Sequence, residues 1–218
     1  MKPSAHETNA RGAETGTSGL SAPETRILDA AQSLFFAHGF SAVSTDRLSK
    51  EAGVSKSTIY KYFGDMAGVF AAVVRREGDV YHLAFETLPD TPVAYWRELV
   101  AFGDRLLTLL NQRFCIQLDK MLHEEARKQP DLIRTFYDLA YGRGHAEISR
   151  MIAHGQAKGF ITKPQTASDL ADNLLSMWEG LCVVRSRLGL SERPFADPAA
   201  WSRQCVGTLF ETDAREFI

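Results

Sequence analysis

Apolar positions along the chain recur every three to four residues, the spacing that places side chains on one face of an α-helix. The clearest example is residues 24–38, a helix that Gly39 is predicted to end. Its apolar stripe consists of Ile27, Ala30, Ala31, Leu34 and Phe35. No segment shows the strict alternation of apolar and polar residues that a half-buried strand requires. The pattern therefore predicts an all-α fold.

Capping and turn residues divide the chain into about nine helices. Two short helices are predicted at 45–52 and 56–62, with Ser44 and Ser55 as their N-caps and Gly53 in the turn between them. Further helices are predicted to begin near residues 65, 92, 113, 131, 166 and 198.

Two of the later helices have distinctive patterns. The helix predicted at 131–158 contains Gly142 and Gly144, which indicate a kink or a close packing contact. The helix that begins at 166 has an apolar stripe wider than one buried face needs, so we expect part of it to face a second copy of the chain. That stripe consists of Leu170, Leu174, Met177, Trp178 and Leu181.

Composition adds expectations about the tail and the compartment. Residues 1–22 are rich in Ser, Thr, Gly, Ala and Glu and lack the apolar run of a signal peptide, so we expect a disordered tail. No apolar run approaches the ~20 residues that span a membrane, so we expect a soluble, cytoplasmic protein without a membrane partner. Three widely spaced cysteines (Cys115, Cys182 and Cys205) indicate a reducing compartment and argue against a disulfide framework.

Residues 44–63 carry the most informative pattern, two short helices on either side of a glycine turn. Leu48, Val54 and Ile59 can pack inward. A helix of this size fits the major groove of DNA, where the edges of the bases can be read. The segment has four basic and two acidic residues, so its local charge is +2 in a chain of net charge −2. The residues left to face outward are Thr45, Lys56, Ser57, Thr58, Tyr60, Lys61 and Tyr62.

Residues 26–70 resemble the DNA-binding domain of the TetR family of transcriptional regulators. The matching positions are Arg26-Ile27-Leu28, Ala31, Leu34-Phe35, Gly39-Phe40, Thr45, Ala52-Gly53-Val54-Ser55 and Ile59-Tyr60-Lys61-Tyr62-Phe63. The resemblance implies that Thr45 and Tyr62 hold phosphates and that the other five outward residues lie in or beside the groove. The sequence departs from the family at Met66, where relatives commonly carry a lysine that contacts a phosphate.

The resemblance also implies an organisation. A helix-turn-helix domain at 23–85 would be followed by a helical ligand-binding and dimerisation domain at 86–218. The homodimer would form through the last two helices, near 166–189 and 197–213. A small molecule in the second domain would lower the affinity for operator DNA. Residues 123–137 are similar to the C-terminal domain of multidrug-efflux-type repressors of the family.

Aromatic and aliphatic residues in the second domain are the candidates for a ligand pocket, because helical domains can enclose apolar cavities with few polar groups. The predicted lining consists of Trp96, Phe114, Leu118, Met121, Tyr137, Tyr141 and Trp178. An apolar or aromatic organic effector would fit such a lining. The sequence indicates no cofactor, and the stretch that begins at His123 lacks the second histidine of a zinc-protease motif, so no metal site is expected.

Three functions remain open at this point. The first is a ligand-controlled repressor of a palindromic operator, with an activator of the same fold as its variant. The second is a helical enzyme, although the chain has no Ser-His-Asp spacing, phosphate-binding glycine loop or paired-carboxylate motif and no candidate catalytic residue. The third is a protein-interaction module. Strong salt dependence of DNA binding would distinguish the first from the third.

Overall fold

The computed structural model describes residues 19–81, 83–211 and 217, and across these residues the regular structure is helical, with no strand. The elements, in order, are α1 (Ala22–His38), a 3-10 turn (Phe40–Ala42), α2 (Thr45–Ala52), α3 (Lys56–Phe63), α4 (Met66–Val80), α5 (Pro92–Leu110), α6 (Arg113–Glu125), α7 (Pro130–Tyr137), a π-helical turn (Asp138–Gly142), α8 (Arg143–Ala157), α9 (Ala167–Arg187) and α10 (Pro198–Leu209). The all-α prediction is confirmed.

The predicted helix at 131–158 is interrupted. Residues 138–142 form a π-helical turn between α7 and α8, and this turn includes Gly142, one of the two glycines that indicated a kink. Counting α7 to α8 as one interrupted helix, the described residues contain nine helices, as predicted. Residues 1–18 of the predicted tail and residues 212 and 213 of the predicted last helix lie outside the described residues.

Side-chain caps explain where the helices begin. Helix α1 starts at Ala22, two residues earlier than the periodicity indicated, because Ser21 and Glu24 form a capping box. The other capped helices use an oxygen of the N-cap side chain that accepts a hydrogen bond from the third residue of the helix. These N-caps are Ser44, Ser55, Asp65, Thr91, Thr166 and Asp197.

Two hydrophobic clusters form the core of the described residues. The first cluster joins α1 to α4, and it also takes in buried side chains from α6 and α7, among them Leu118 and Leu132. The second cluster lies among α5, α8, α9 and α10. Phe85 belongs to the second cluster, with its ring stacked on Phe102 at 4.7 Å, so the change from one core to the other falls between Val74 and Leu83.

Most of the apolar stripe, part of which was expected to face a second chain, is buried inside a single chain. Leu170, Leu174 and Trp178 are fully buried in the second cluster, where they pack against other helices of the same chain. The stripe is wide because α9 is covered by α8, α5 and α10 within one chain. Only Leu181 of the predicted set is exposed, and it follows Gly180, whose positive φ of 45° kinks the helix. A charged residue in place of Leu174 would therefore disrupt the core of a single chain and would give no information about a dimer interface.

The crossing of α5 with α9 and α10 leaves no room for a side chain at Gly103. A Cβ atom there would lie 2.2 Å from the Oγ of Ser202 and 2.4 Å from the Cζ2 of Trp178. Ser202 is fixed in turn, because its hydroxyl donates a hydrogen bond of 2.8 Å to the carbonyl of Val100. This contact holds the three helices of the second cluster at close range.

Candidate nucleic-acid interface and internal cavity

The turn between α2 and α3 is built by local backbone chemistry. Gly53 adopts the left-handed conformation (φ 62°, ψ 39°), which a glycine reaches without steric cost. Ser55 then begins α3 by accepting a hydrogen bond from the backbone N–H of Thr58 at 3.1 Å. Leu48 and Ile59 are fully buried in the first cluster. Their burial fixes which side of α3 faces away from the core.

The predicted DNA-contacting residues lie on that outer side. Lys56, Ser57, Tyr60, Lys61 and Tyr62 are exposed, and Thr45 and Thr58 are partly exposed. Tyr60 has half of its surface exposed, although tyrosine is a residue that proteins often bury. Its hydroxyl donates a hydrogen bond of 3.5 Å to the Oγ1 of Thr45, which joins the outer faces of α2 and α3.

The two lysines of α3 are held differently. Lys56 forms an ion pair with Asp46 of α2, and the hydrogen bond to that carboxylate raises the pKa of the lysine. Lys61 has no ion pair among the described residues, and its ammonium lies 5.5 Å from the centre of the Tyr62 ring. Lys61 is therefore free to meet a phosphate, whereas Lys56 must exchange Asp46 for one.

Replacing Asp46 by asparagine is expected to tighten DNA binding about two- to fivefold, because it frees Lys56 and removes a carboxylate from the surface predicted to contact DNA. The dependence of log K on log[salt] should steepen by about 0.9, the value of one added phosphate contact. Fluorescence anisotropy on an operator duplex selected from a random pool would measure both. Glu192→Gln, which removes the same charge from the loop before α10, is the control. Unchanged affinity in Asp46→Asn would show that Asp46 does not restrain Lys56.

Helix α4 starts directly behind α3. A Cβ atom on Gly68 would lie 1.9 Å from the carbonyl oxygen of Phe63, so only glycine allows this approach. Met66, which stands where relatives commonly carry a lysine, is partly buried and packs against the first cluster. The other end of α4 lines a cavity, with Arg76 reaching back to Asp29 of α1 at 2.7 Å.

A buried carboxylate makes a second link between the N-terminal helices and the rest of the chain. Glu125, at the end of α6, is 3% exposed. It accepts hydrogen bonds from the hydroxyl and from the backbone N–H of Ser41, the latter at 3.3 Å. A Cβ on Gly39 would lie 2.9 Å from the Oε1 of Glu125, so this turn approaches the carboxylate closely. The 3-10 turn is thereby fastened to α6.

The cavity has a volume of about 840 Å³ and is lined by α4, the segment after it, α5, α6, the π-helical turn and α9. Three of the seven predicted lining residues border it, namely Phe114, Leu118 and Tyr141. The other four lie elsewhere. Trp96 and Trp178 fill the second cluster, Met121 fills the first, and Tyr137 is exposed on the outer side of α7.

Several lining residues were not among those predicted, and the small and charged ones do not fit the aromatic and aliphatic lining that the sequence indicated. They include Leu106, Leu110, Cys115, Asp119, Glu179 and Arg187. Cys115 and Asp119 lie four positions apart on α6, as do Phe114 and Leu118, so each pair shares a helix face. The cavity meets both of these adjacent faces. Burial raises the pKa of Cys115 and of Tyr141 to about 12, so both stay protonated at neutral pH.

A helix-turn-helix unit with an exposed, polar and cationic second helix, placed beside a helical domain with a large cavity, defines a DNA-binding transcriptional regulator. Residues 27–73 match the family described as bacterial regulatory proteins, tetR family. Residues 97–208, about half of the chain, match the AefR-like transcriptional repressor C-terminal domain. The chain belongs to the TetR family, which is a family of regulators and not a class of enzymes.

Individual proteins agree with this assignment. The HTH-type transcriptional repressor SCO4008 of Streptomyces coelicolor is 26% identical over 176 residues, which cover 75% of this chain and 80% of that protein. A TetR transcriptional regulator from Agrobacterium tumefaciens has the same fold, with a TM-score of 0.73 at 20% identity over 91% of this chain and all of that one. The Flavonoid-responsive Regulator FrrA has a TM-score of 0.69 at 23% identity, covering 89% and 96% of the two chains.

Within the residues that the structure describes, no helix is long and apolar enough to cross a membrane. Nor do three or more His, Cys, Asp or Glu side chains converge there as a metal-binding group. His123 contacts the carbonyl of Asp119, and the Nε2 of His145 lies 3.2 Å from the carboxylate of Asp172.

Proposed function

We propose that this chain is a homodimeric repressor that binds a palindromic operator through α3 and leaves it when a small apolar molecule enters the cavity. The observation that carries the proposal is the path of α4, which begins against the end of α3 and ends in the cavity wall. In this proposal residues 23–85 read the DNA, and residues 86–218 bind the ligand and the second chain.

DNA contact is assigned to the outer face of α3 and the start of α2. Thr45 and Tyr62 are proposed to hold phosphates. The residues proposed to lie in or beside the major groove are Lys56, Ser57, Thr58, Tyr60 and Lys61. Exposed side chains that donate hydrogen bonds, together with one unpaired lysine, support this assignment. The N-termini of α2 and α3 add partial positive charge that favours phosphate.

Dimer contact is assigned to the last part of α9. Leu181, Val184 and Leu188 are exposed and follow one another at helical spacing after the Gly180 kink. A row of exposed large apolar side chains is typical of a surface that another protein covers. Two chains joined in this way would present two recognition helices to two half-sites separated by about one turn of DNA, roughly 34–36 Å.

Control by a ligand requires the ligand to prefer one arrangement of the two recognition helices over another. Two contacts join the N-terminal helices to α6, which also lines the cavity. Ser41 donates a hydrogen bond to Glu125, and Phe36 packs against Phe114 with ring centres 5.3 Å apart. A molecule that shifts α6 or the end of α4 would therefore also shift α3. No observation favours activation over repression, and the related SCO4008 is a repressor.

The DNA assignment is tested by Lys61→Ala. Loss of one phosphate contact should reduce the salt slope by about 0.9 and lower the affinity roughly eightfold at 0.1 M salt. Tyr60→Ala should also weaken binding, and neither variant should change the free energy of unfolding by more than ~0.5 kcal/mol, because both side chains are exposed. Anisotropy titrations at four salt concentrations give the slopes, and Lys163→Ala in the loop before α9 is the matched control. Wild-type affinity and slope in both α3 variants would rule out this surface as the DNA contact.

A further inference from the structure

The charged groups of the cavity wall are mostly paired. Five carboxylates line the cavity. Glu77 lies 3.6 Å from Arg76, and Asp79 lies 3.4 Å from Arg143. Glu86 is exposed, so water stabilises its charge. The remaining two carboxylates, Asp119 and Glu179, lie with Arg187 on the wall that α6 and α9 share.

Arg187 is committed to Asp119. Its Nε and Nη2 donate hydrogen bonds of 2.7 Å and 2.8 Å to the two carboxylate oxygens, the bidentate geometry that makes such pairs strong. The guanidinium therefore makes its hydrogen bonds to Asp119 and interacts with Glu179 only through longer-range electrostatic attraction. Because the opposite charges of Asp119 and Arg187 cancel, the ionised Glu179 gives this part of the wall a net charge of −1.

Glu179 has no hydrogen bond and no ion pair among the described residues. Its side chain is half-buried, one residue beyond the core residue Trp178 on α9. Burial raises the pKa of Glu179, and the field of Arg187 opposes that rise only in part. An incompletely solvated carboxylate that lacks a donor is stabilised when a ligand supplies one.

From this arrangement we infer that the cavity selects organic cations, with an aromatic or aliphatic body against its apolar wall and a protonated amine at Glu179. This inference rests on the proposed function, since it names the class of molecule that the effector cavity takes. The unpaired cations of the lining, Arg75 and Lys120, are both exposed. They are solvated, so they give an anion only a screened attraction.

Three fluorescent probes with the same dansyl body test the inference on the full chain. Dansylcadaverine carries a primary amine, its N-acetyl derivative is neutral, and dansyl-6-aminohexanoate is an anion. We expect the cation to bind at least about tenfold more tightly than the neutral probe, as for a hydrogen bond to a charged group, and the anion to bind most weakly. Fluorescence titration gives the three dissociation constants.

Matched variants assign the preference to one side chain. Glu179→Gln should bring the cation to the affinity of the neutral probe and leave the neutral probe unchanged, which also shows that the variant is folded. Glu179→Asp should keep part of the preference. Glu86→Gln, which removes the same charge at an exposed lining position, should keep all of it.

Equal binding of the three probes by the wild-type protein would overturn the charge preference and leave the cavity as a site for apolar ligands. Failure of all three to bind would overturn the inference and count against the cavity as an effector site. A preference for the cation that leaves operator affinity unchanged would support the inference and contradict the proposed control of DNA binding. The two proposals can thus fail separately.

Discussion

Replacing Leu181 and Leu188 together by arginine is expected to turn the proposed dimer into monomers and to lower operator affinity at least about a hundredfold. The two side chains are 66% and 70% exposed in a single chain, so arginine can be placed there without disturbing the core. Each leucine buried in a dimer contact contributes about 1.5–3 kcal/mol to the free energy of association, and the double variant removes two from each of the two chains. Unpaired arginines in the contact add a further penalty. A monomer then reads one half-site and loses the gain of a second, linked contact.

Light scattering measures the first effect, and anisotropy on the operator duplex measures the second. Val93→Arg replaces an exposed apolar residue of α5 and is the control for added charge. Leu174→Arg makes a sharper comparison, because that side chain is fully buried within the chain. It should unfold the protein, whereas the α9 surface variant should dissociate it and leave its helices intact. A double variant that still scatters as a dimer would place the interface on another face.

Gly103→Ala is expected to lower the free energy of unfolding by about 3 kcal/mol, at the upper end of the cost of overpacking a core. The added methyl would overlap the Oγ of Ser202 and the ring of Trp178, and neither can withdraw freely. Ser202 would have to break its hydrogen bond to Val100, and the Trp178 ring is fully buried.

Urea denaturation followed by circular dichroism gives the free energies of unfolding. Gly144→Ala is a matched control, because Gly144 also lies in a helix but has no neighbouring atom within 4 Å of the place that an alanine Cβ would take. Alanine there should stabilise the protein by about 0.5–1 kcal/mol, since it restricts the unfolded chain and favours the helix. Equal stability of the Gly103 variant and the wild-type protein would mean that α5 can move away from α10 at little cost.

The helix-turn-helix unit could be predicted from the sequence because its determinants are local. Ser44, Gly53 and Ser55 set the ends of two helices within a dozen residues, and Leu48 and Ile59 set which side is buried. Each of these signals is a capping or turn preference that acts over one helical turn. Which exposed residues touch the DNA stays a prediction.

The cavity and the proposed dimer face depend on contacts between distant segments, and periodicity alone does not identify them. Trp178 and Glu179 are neighbours on α9, yet one fills the core and the other faces the cavity. The sequence pattern predicts Trp178 as a ligand contact and does not distinguish Glu179 from a solvated surface residue. Gly180 explains why the predicted stripe divides into a buried and an exposed part, since its positive φ breaks the helix and separates the buried Leu174 from the exposed Leu181. A continuous helical repeat drawn through residues 170–181 does not include that break.

The sharing of the first hydrophobic cluster between α1–α4 and two later helices bears on modularity. Leu118, Met121, Leu122 and Leu132 complete the core beneath the DNA-reading head, although they lie in the half of the chain assigned to ligand binding. The N-terminal helices therefore do not form an independent module that could be separated from the chain at residue 85 with its core complete. Recombination between such regulators would have to carry the matching surface of α6 and α7 along with a new reading head. Substitutions in the core residues of α1–α4 therefore limit which substitutions α6 and α7 can accept, and the reverse also holds.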